Sequence, residues 1–221
     1  MPRIALIHAL KVSIPAIEES FFRLWPEAKL MNLLDDSLSA DLAAEGVLTP
    51  AMTQRFLALA RYAKSTGADA ILFTCSAFGP CIEACAADMP EIPVLKPNEA
   101  MIEEAIALAG PKARIGLLAT FSPTLDSMPP EFAVAAPGTT IVPCLAAAAL
   151  TALNAGDGAG HDREAASAAL AVADCDVIAL AQFSLARAAD AVTAATGKPA
   201  LTTPDSAVRK LQRLLLRREA A

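Results

Sequence analysis

Short, uninterrupted apolar runs recur along the chain and alternate with stretches of helical periodicity. The runs cover residues 3–8, 70–74, 114–119 and 176–181. None of them alternates apolar with polar positions. Strands of that kind are covered on both faces, as in parallel sheets. Between them, residues 51–65 carry Met52, Phe56, Leu57, Leu59 and Ala60 at helical spacing and end near Gly67. Residues 98–109 place Ala100, Met101, Ile102, Ala105, Ile106 and Leu108 similarly and stop at Gly110-Pro111. Residues 162–174 run from Asp162 through an Ala-rich face, and a last helix is expected over 205–218 behind Pro204-Asp205-Ser206. Strand and helix in alternation predict an α/β fold with mainly parallel sheets.

The pattern is written twice. Arg3-Ile-Ala-Leu-Ile-His8 resembles Arg114-Ile-Gly-Leu-Leu-Ala119. Asp69-Ala-Ile-Leu-Phe-Thr-Cys75-Ser76 resembles Asp176-Val-Ile-Ala-Leu-Ala-Gln182-Phe183. Arg3 and Asp69 are 66 residues apart, and Arg114 and Asp176 are 62 apart. The duplication predicts two pseudo-symmetric three-layer lobes, residues 1–96 plus 202–221 and residues 97–201, with the active site between them. The breaks are expected in the Pro-rich stretch 89–97 and at 196–204. Clefts between lobes are common ligand sites. The Gly-rich stretch 154–160 lacks the position and spacing of a phosphate loop and reads as a flexible connection.

Composition narrows the function classes. A net charge of −6 argues against a nucleic-acid partner. Apolar runs fall short of the roughly 18–20 residues that span a bilayer, so no membrane partner is expected. The N-terminus reads as a buried strand and not as a signal peptide. Five cysteines without framework spacing then imply reduced thiols and a cytoplasmic location. Cys81 and Cys85 share a helix face, but only His8 and His161 could complete a site, so no metal is expected. Cys81, Cys85, Cys144 and Cys175 are expected in the core. Arg209, Lys210, Arg213, Arg217 and Arg218 read as the solvated face of the last helix. Leu214, Leu215 and Leu216 pack within the chain or form a face between copies of it, giving a homo-oligomer.

Cys75 closes an apolar strand, and Ser76, Ala77, Phe78 and Gly79 follow before Pro80 opens a helix. Small residues in such a turn let backbone N–H groups face a ligand, and a helix N-terminus attracts anions and lowers thiol pKa values. Cys75 is therefore placed like a reactive thiolate beside a carboxylate pocket. Thr120, Ser122 and Thr124 are hydroxyls at another strand end, where ligands of open α/β sheets sit. Gln182 and Ser184 close the fourth strand with groups able to hydrogen-bond a carboxylate or an enolate oxygen. His8 ends the first strand as a candidate base or polar orienter. His161, in the Gly-rich connection, is a weaker candidate.

Thr74-Cys-Ser-Ala77, Leu117-Leu-Ala-Thr-Phe-Ser-Pro-Thr124 and Pro204-Asp-Ser-Ala-Val-Arg-Lys-Leu211 on a duplicated α/β unit together resemble the aspartate/glutamate racemase superfamily. That group includes glutamate, aspartate and hydantoin racemases, maleate isomerase and arylmalonate decarboxylase. The resemblance spans nearly the whole chain and implies a cofactor-free enzyme acting on a small carboxylate. It makes Cys75 the first-lobe catalytic cysteine and places Ser76 and Ala77 in a turn whose backbone holds the substrate carboxylate. Thr120 and Ser122 match the second-lobe carboxylate turn. The second catalytic cysteine of the racemases should stand at Gln182, and Cys175 lies seven residues too early to replace it. The resemblance thus implies racemase- or isomerase-like chemistry at an α-carbon with a single thiol. Decarboxylation of malonate-type acids and carboxylate binding without turnover are the alternatives. Covalent thiol chemistry on an activated carbonyl would need His8 as its base.

Overall fold

The computed structural model describes residues 1–110 and 112–219, with Arg218 and Glu219 described in backbone only. Pro111, the last two residues and the side chain expected at Arg218 lie outside that description. The chain divides into two compact units, residues 1–97 with the chain from Ala207 onward, and residues 98–206.

Unit 1 holds β1 (Arg3–His8), α1 (Ser13–Leu24), β2 (Lys29–Leu34), α2 (Ser37–Glu45), α3 (Pro50–Ser65), β3 (Ala70–Phe73), α4 (Gly79–Asp88) and β4 (Val94–Leu95). Unit 2 opens with α5 (Glu99–Ala109), β5 (Arg114–Ala119), α6 (Ser122–Ser127), α7 (Pro129–Ala135) and β6 (Thr140–Leu145). It continues with α8 (Ala147–Asn154), α9 (Gly158–Ala169), β7 (Val177–Leu180), α10 (Ala189–Thr196) and β8 (Ala200–Thr202). The last helix, α11 (Thr203–Glu219), begins in unit 2 and belongs to unit 1 from Ala207.

Each unit carries one four-stranded, wholly parallel sheet with helices on both sides. The strand orders are β2-β1-β3-β4 and β6-β5-β7-β8. The central strands are those whose apolar runs are unbroken. β3 and β7 are buried at every position, because each residue faces one of two helix layers. Successive side chains point to opposite faces, and the core follows that alternation. Leu118, Ile178 and Leu180 join the cluster that includes Ala165, Ala169 and Val192. Ile115, Leu117, Val177 and Ala179 join the one that includes Met101, Ala105 and Phe132. In unit 1, Ala5, Ile7, Ile71 and Phe73 pack with Leu38, Phe56 and Cys81.

The duplicated sequence signature is a duplicated hydrogen-bond device. The Arg3 N–H donates to the Asp69 carboxylate at 2.7 Å, and the Asp69 N–H returns to the Arg3 carbonyl at 2.8 Å. In unit 2 the Arg114 N–H donates to Asp176 at 2.8 Å, and the Asp176 N–H returns to the Arg114 carbonyl at 2.8 Å. These contacts fasten the starts of β1 to β3 and of β5 to β7. The registers that follow pair Ile4 with Ala70 and Ile7 with Phe73, and Ile115 with Val177 and Leu118 with Leu180.

Four strands escape the sequence pattern: β2, β4, β6 and β8. All four are outer strands, paired on one side only, and their apolar runs are short or diluted. β2 has no fully buried residue, and β6 carries Pro143, which only an edge position tolerates. The Gly-rich stretch is not a flexible connection. Gly156 turns the chain at φ +78°, and the Asp157 side chain accepts from the Gly160 N–H at 2.7 Å, capping α9 four residues before the expected start. His161 accordingly lies on a helix, fully buried, with Nδ1 2.9 Å from Asp162. On α11, Arg213 and Arg217 are exposed while Arg209 and Lys210 are half-buried. Leu215 is buried, so Leu214–Leu216 is not a continuous surface stripe.

Gly116 shows how tightly β5 is packed. A Cβ there would meet the Val172 side chain at 2.9 Å. Gly116→Ala should destabilise the protein by about 1–3 kcal/mol, the usual cost of overpacking a close-fitted core. A urea melt with no change in midpoint would contradict that packing.

Candidate active site

β3 and β7 end in the same way. Cys75 stands two residues beyond Phe73, the last residue of β3 paired with β1. Gln182 stands two residues beyond Leu180, the last of β7 paired with β5. Both residues keep extended backbone, φ −127° and ψ 116° at Cys75, φ −140° and ψ 146° at Gln182. Each then opens a 3-10 turn, Ser76–Phe78 and Phe183–Ala188. The two positions are therefore equivalent within their units, and only the chemistry differs.

Cys75 alone of the five cysteines is not fully buried. Its thiol packs against the core cluster of Phe73, Phe78 and Cys81. Burial pushes the thiol up from its ordinary range, and the Ala77 N–H directed at the sulfur only partly offsets this. The expected thiolate is thus replaced by a thiol that holds its proton. The physical reason is local. The 3-10 turn separates Cys75 from α4, so the sulfur receives a single backbone donor and not the first turn of an α-helix. Ser76 and Ala77 are exposed beside it.

His8 is withdrawn from solvent. Its side chain is fully buried, and both ring nitrogens are occupied. The Asn32 amide donates to Glu18 at 2.7 Å, which turns the Asn32 carbonyl oxygen toward His8. His8 Nε2–H donates to that oxygen at 3.0 Å. Nδ1 is then the bare nitrogen, 2.9 Å from the Thr74 hydroxyl and 3.1 Å from that of Ser13. Thr74 donates to Nδ1, and Ser13 lies 2.9 Å from Thr74 and donates to the Leu10 carbonyl at 2.8 Å. Burial lowers the His8 pKa, opposed by the Asn32 hydrogen bond and the Glu18 charge, so the ring is neutral near neutral pH. His8 is thereby bonded to Thr74, the neighbour of Cys75. The sequence gives no hint of this network, because Ser13, Glu18, Asn32 and Thr74 come from α1, β2 and the end of β3. With both nitrogens engaged elsewhere, His8 is also not the base that covalent catalysis by Cys75 would need.

In unit 2, Thr120 is buried and commits both of its donors to Gln182. The Gln182 carbonyl oxygen accepts from the Thr120 N–H at 2.6 Å and from its hydroxyl at 2.9 Å. The two residues expected to bind ligand thus latch β5 to β7. Ser122 is exposed at the start of α6, and Ser184 is half-buried in the turn after Gln182. Thr124 accepts through its carbonyl from Met128 and Ser127, as a helix residue does.

The other thiols are buried. Cys81 lies 3.4 Å from the Thr53 hydroxyl, and the Cys144 thiol donates to the Ala168 carbonyl at 3.2 Å. Burial first, then the neighbouring Cys81, pushes Cys85 up to about 12. Among the described residues no group of three or more His, Cys, Asp or Glu side chains could hold a metal ion, and no helix is long and apolar enough to cross a membrane.

No family model and no curated protein sequence matches the chain. Solved structures do. Allantoin racemase from Klebsiella pneumoniae superposes with a TM-score of 0.74 at 16% identity, covering 98% of this chain and 88% of that one. Arylmalonate decarboxylase gives 0.69 at 17% identity, covering 97% and 92%. Glutamate racemase from Francisella tularensis, in complex with D-glutamate, gives 0.66 at 15% identity, covering 99% and 82%. The chain shares its fold with these racemases and with arylmalonate decarboxylase.

Two measurements probe the paired strand ends. Gln182→Leu strands two buried donors of Thr120 and should cost about 1–3 kcal/mol, whereas Thr120→Val removes one hydroxyl bond and should cost about 1 kcal/mol. Equal losses in urea melts would contradict the latch. Alkylation of Cys75 by iodoacetamide should be slower at pH 7 than that of a free cysteine and should rise through an inflection above the ordinary thiol range. The sign follows from burial, which favours the protonated form. An inflection below that range would restore the thiolate.

Proposed function

We propose that the protein is a cofactor-free enzyme of the racemase superfamily acting at the α-carbon of a small carboxylic or amino acid, with Cys75 as its single catalytic thiol. One observation carries the reading. A partly accessible thiol that keeps its proton stands at the end of β3, while the equivalent place in unit 2 holds a Gln whose carbonyl is already bonded to Thr120. The fold shared with racemases and a decarboxylase supports it.

A neutral thiol suits one half of carbon-acid chemistry. It can deliver a proton to an enolate carbon and take one back as the thiolate. Inversion also needs a second acid on the opposite face of the carbon. An amide exchanges no carbon-bound proton near neutral pH, so Gln182 does not supply it. The exposed backbone beside Cys75, at Ser76, is the donor proposed for the carboxylate. Donors fixed in advance stabilise a developing enolate without reorganising. His8, through Thr74, holds the thiol's turn in place.

The protonated thiol also favours a second reading, decarboxylation of a malonate-type acid. There, loss of CO2 generates the enediolate and Cys75 supplies the proton.

Proton NMR in D2O with amino acids, hydroxy acids and malonates, comparing wild type with Cys75→Ser, tests both. Deuterium at the α-carbon or release of CO2, abolished at least about 100-fold by Cys75→Ser, is the expected result, given typical contributions of acid–base groups. Exchange that loses chirality would identify an acid other than Gln182. Turnover that survives Cys75→Ser would overturn the catalytic role of Cys75, and ligand binding with no turnover at all would overturn the enzyme reading and leave a carboxylate-binding protein.

A further inference from the structure

The connection from α1 to β2, within unit 1, carries an aromatic cleft that the chemistry of Cys75 does not use. Ile17 and Phe21 are one helical turn apart on α1, and both are buried. Glu18 and Phe22 follow at the same spacing on the neighbouring face, and both are exposed. Trp25 then ends the helix. Its N–H donates to the Phe21 carbonyl at 2.7 Å, and its own carbonyl accepts from the Ala28 N–H at 3.1 Å. The indole stacks beside Phe21, with ring centroids 6.2 Å apart. Glu18, Phe21, Phe22, Trp25, Pro26 and Leu30 line a cleft of about 260 Å³ there.

That cleft is apolar except at one point. Glu18 is the only ionisable group in its lining. Phe22 keeps 81% of its surface in solvent, an exposed aromatic area of the kind that marks a contact site. The carboxylate is also held in place. The Asn32 amide donates to Glu18 Oε1 at 2.7 Å, and the Asn32 carbonyl oxygen accepts from His8 at 3.0 Å. His8 in turn accepts from the Thr74 hydroxyl at 2.9 Å. Hydrogen-bond donation thus runs outward, from buried Thr74 to the carboxylate at the cleft. Among the described residues no cation forms an ion pair with Glu18.

We propose that this cleft binds a small organic cation, an ammonium group on an apolar body, with the ammonium on Glu18 and the body against Phe22 and Trp25. A carboxylate attracts an ammonium ion by its charge, and an aromatic face attracts it through the ring quadrupole. An anion would be repelled by Glu18, and a neutral apolar molecule would leave the carboxylate unused. The cleft is smaller than the roughly 300–1,000 Å³ of drug-sized sites, which limits the body to about one ring.

Trp25 is the only tryptophan of the chain, so its fluorescence reports on the cleft directly. Phenethylammonium, phenethyl alcohol and phenylacetate are titrated into the full chain at equal ionic strength and neutral pH. Saturation-transfer NMR of the same three compounds ranks them independently of the indole signal. The cation should bind at least about fivefold more tightly than the alcohol, which is within reach of one exposed ion pair plus one cation–π contact, and phenylacetate should bind least. Glu18→Gln, which keeps an acceptor for the Asn32 amide, should bring cation and alcohol within about twofold of each other. Phe22→Ala, at an exposed position, should weaken the cation at least about threefold. Equal binding of cation and alcohol, a preference for the cation that survives Glu18→Gln, or no binding by either method would each overturn the cation site. Unchanged affinity in Phe22→Ala would overturn the assignment of the apolar body to Phe22.

Discussion

Parallel pairing of the two inner strands in each unit is the constraint on which the rest depends. A parallel ladder brings both C-terminal ends to the same edge of the sheet, so whatever follows the strands is gathered there. The Asp69 and Asp176 carboxylates fasten the opposite edge. With the starts held, the register is fixed, and a slip of one residue would turn every core side chain of β3 or β7 to the wrong face. That register is what places His8 beside Thr74 and Thr120 beside Gln182.

On this common frame the two ends have diverged. Unit 1 uses a buried polar network to hold the turn and leaves a thiol at its tip. Unit 2 spends the equivalent side chain on holding the turn itself. One arrangement keeps a titratable group near solvent, and the other consumes an acceptor internally. A glutamine bonded twice to buried donors is costly to replace, because the donors cannot be hydrated once the acceptor is gone.

Burial organises the electrostatics of the site more than any charge does. It holds the Cys75 proton on sulfur and keeps His8 neutral, and each effect is larger than the hydrogen bonds that oppose it. A thiol adjusted in this way suits proton delivery better than nucleophilic attack, which requires the thiolate.

How much of this was legible follows from particular residues. The inner strands could be read directly, because burial on both faces leaves no room for polar interruption, while the helices at 51–65 and 98–109 show in apolar residues at helical spacing and the Arg–Asp signature in its repetition. The outer strands could not. β2 is partly exposed and β6 contains Pro143, and an edge position permits both. The start of α9 in the Gly-rich stretch depends on the single Asp157 side chain that caps it, a weaker local signal than the glycines around it. The sequence by itself determined the α/β class, the repeat and the substitution of Gln182 for a thiol, since each is a local pattern or a comparison of two segments. Only the tertiary structure decided the state of the Cys75 proton, the withdrawal of His8 from solvent and the commitment of Gln182 to Thr120. Those depend on burial and on partners as many as 66 residues away, which no local window of sequence contains.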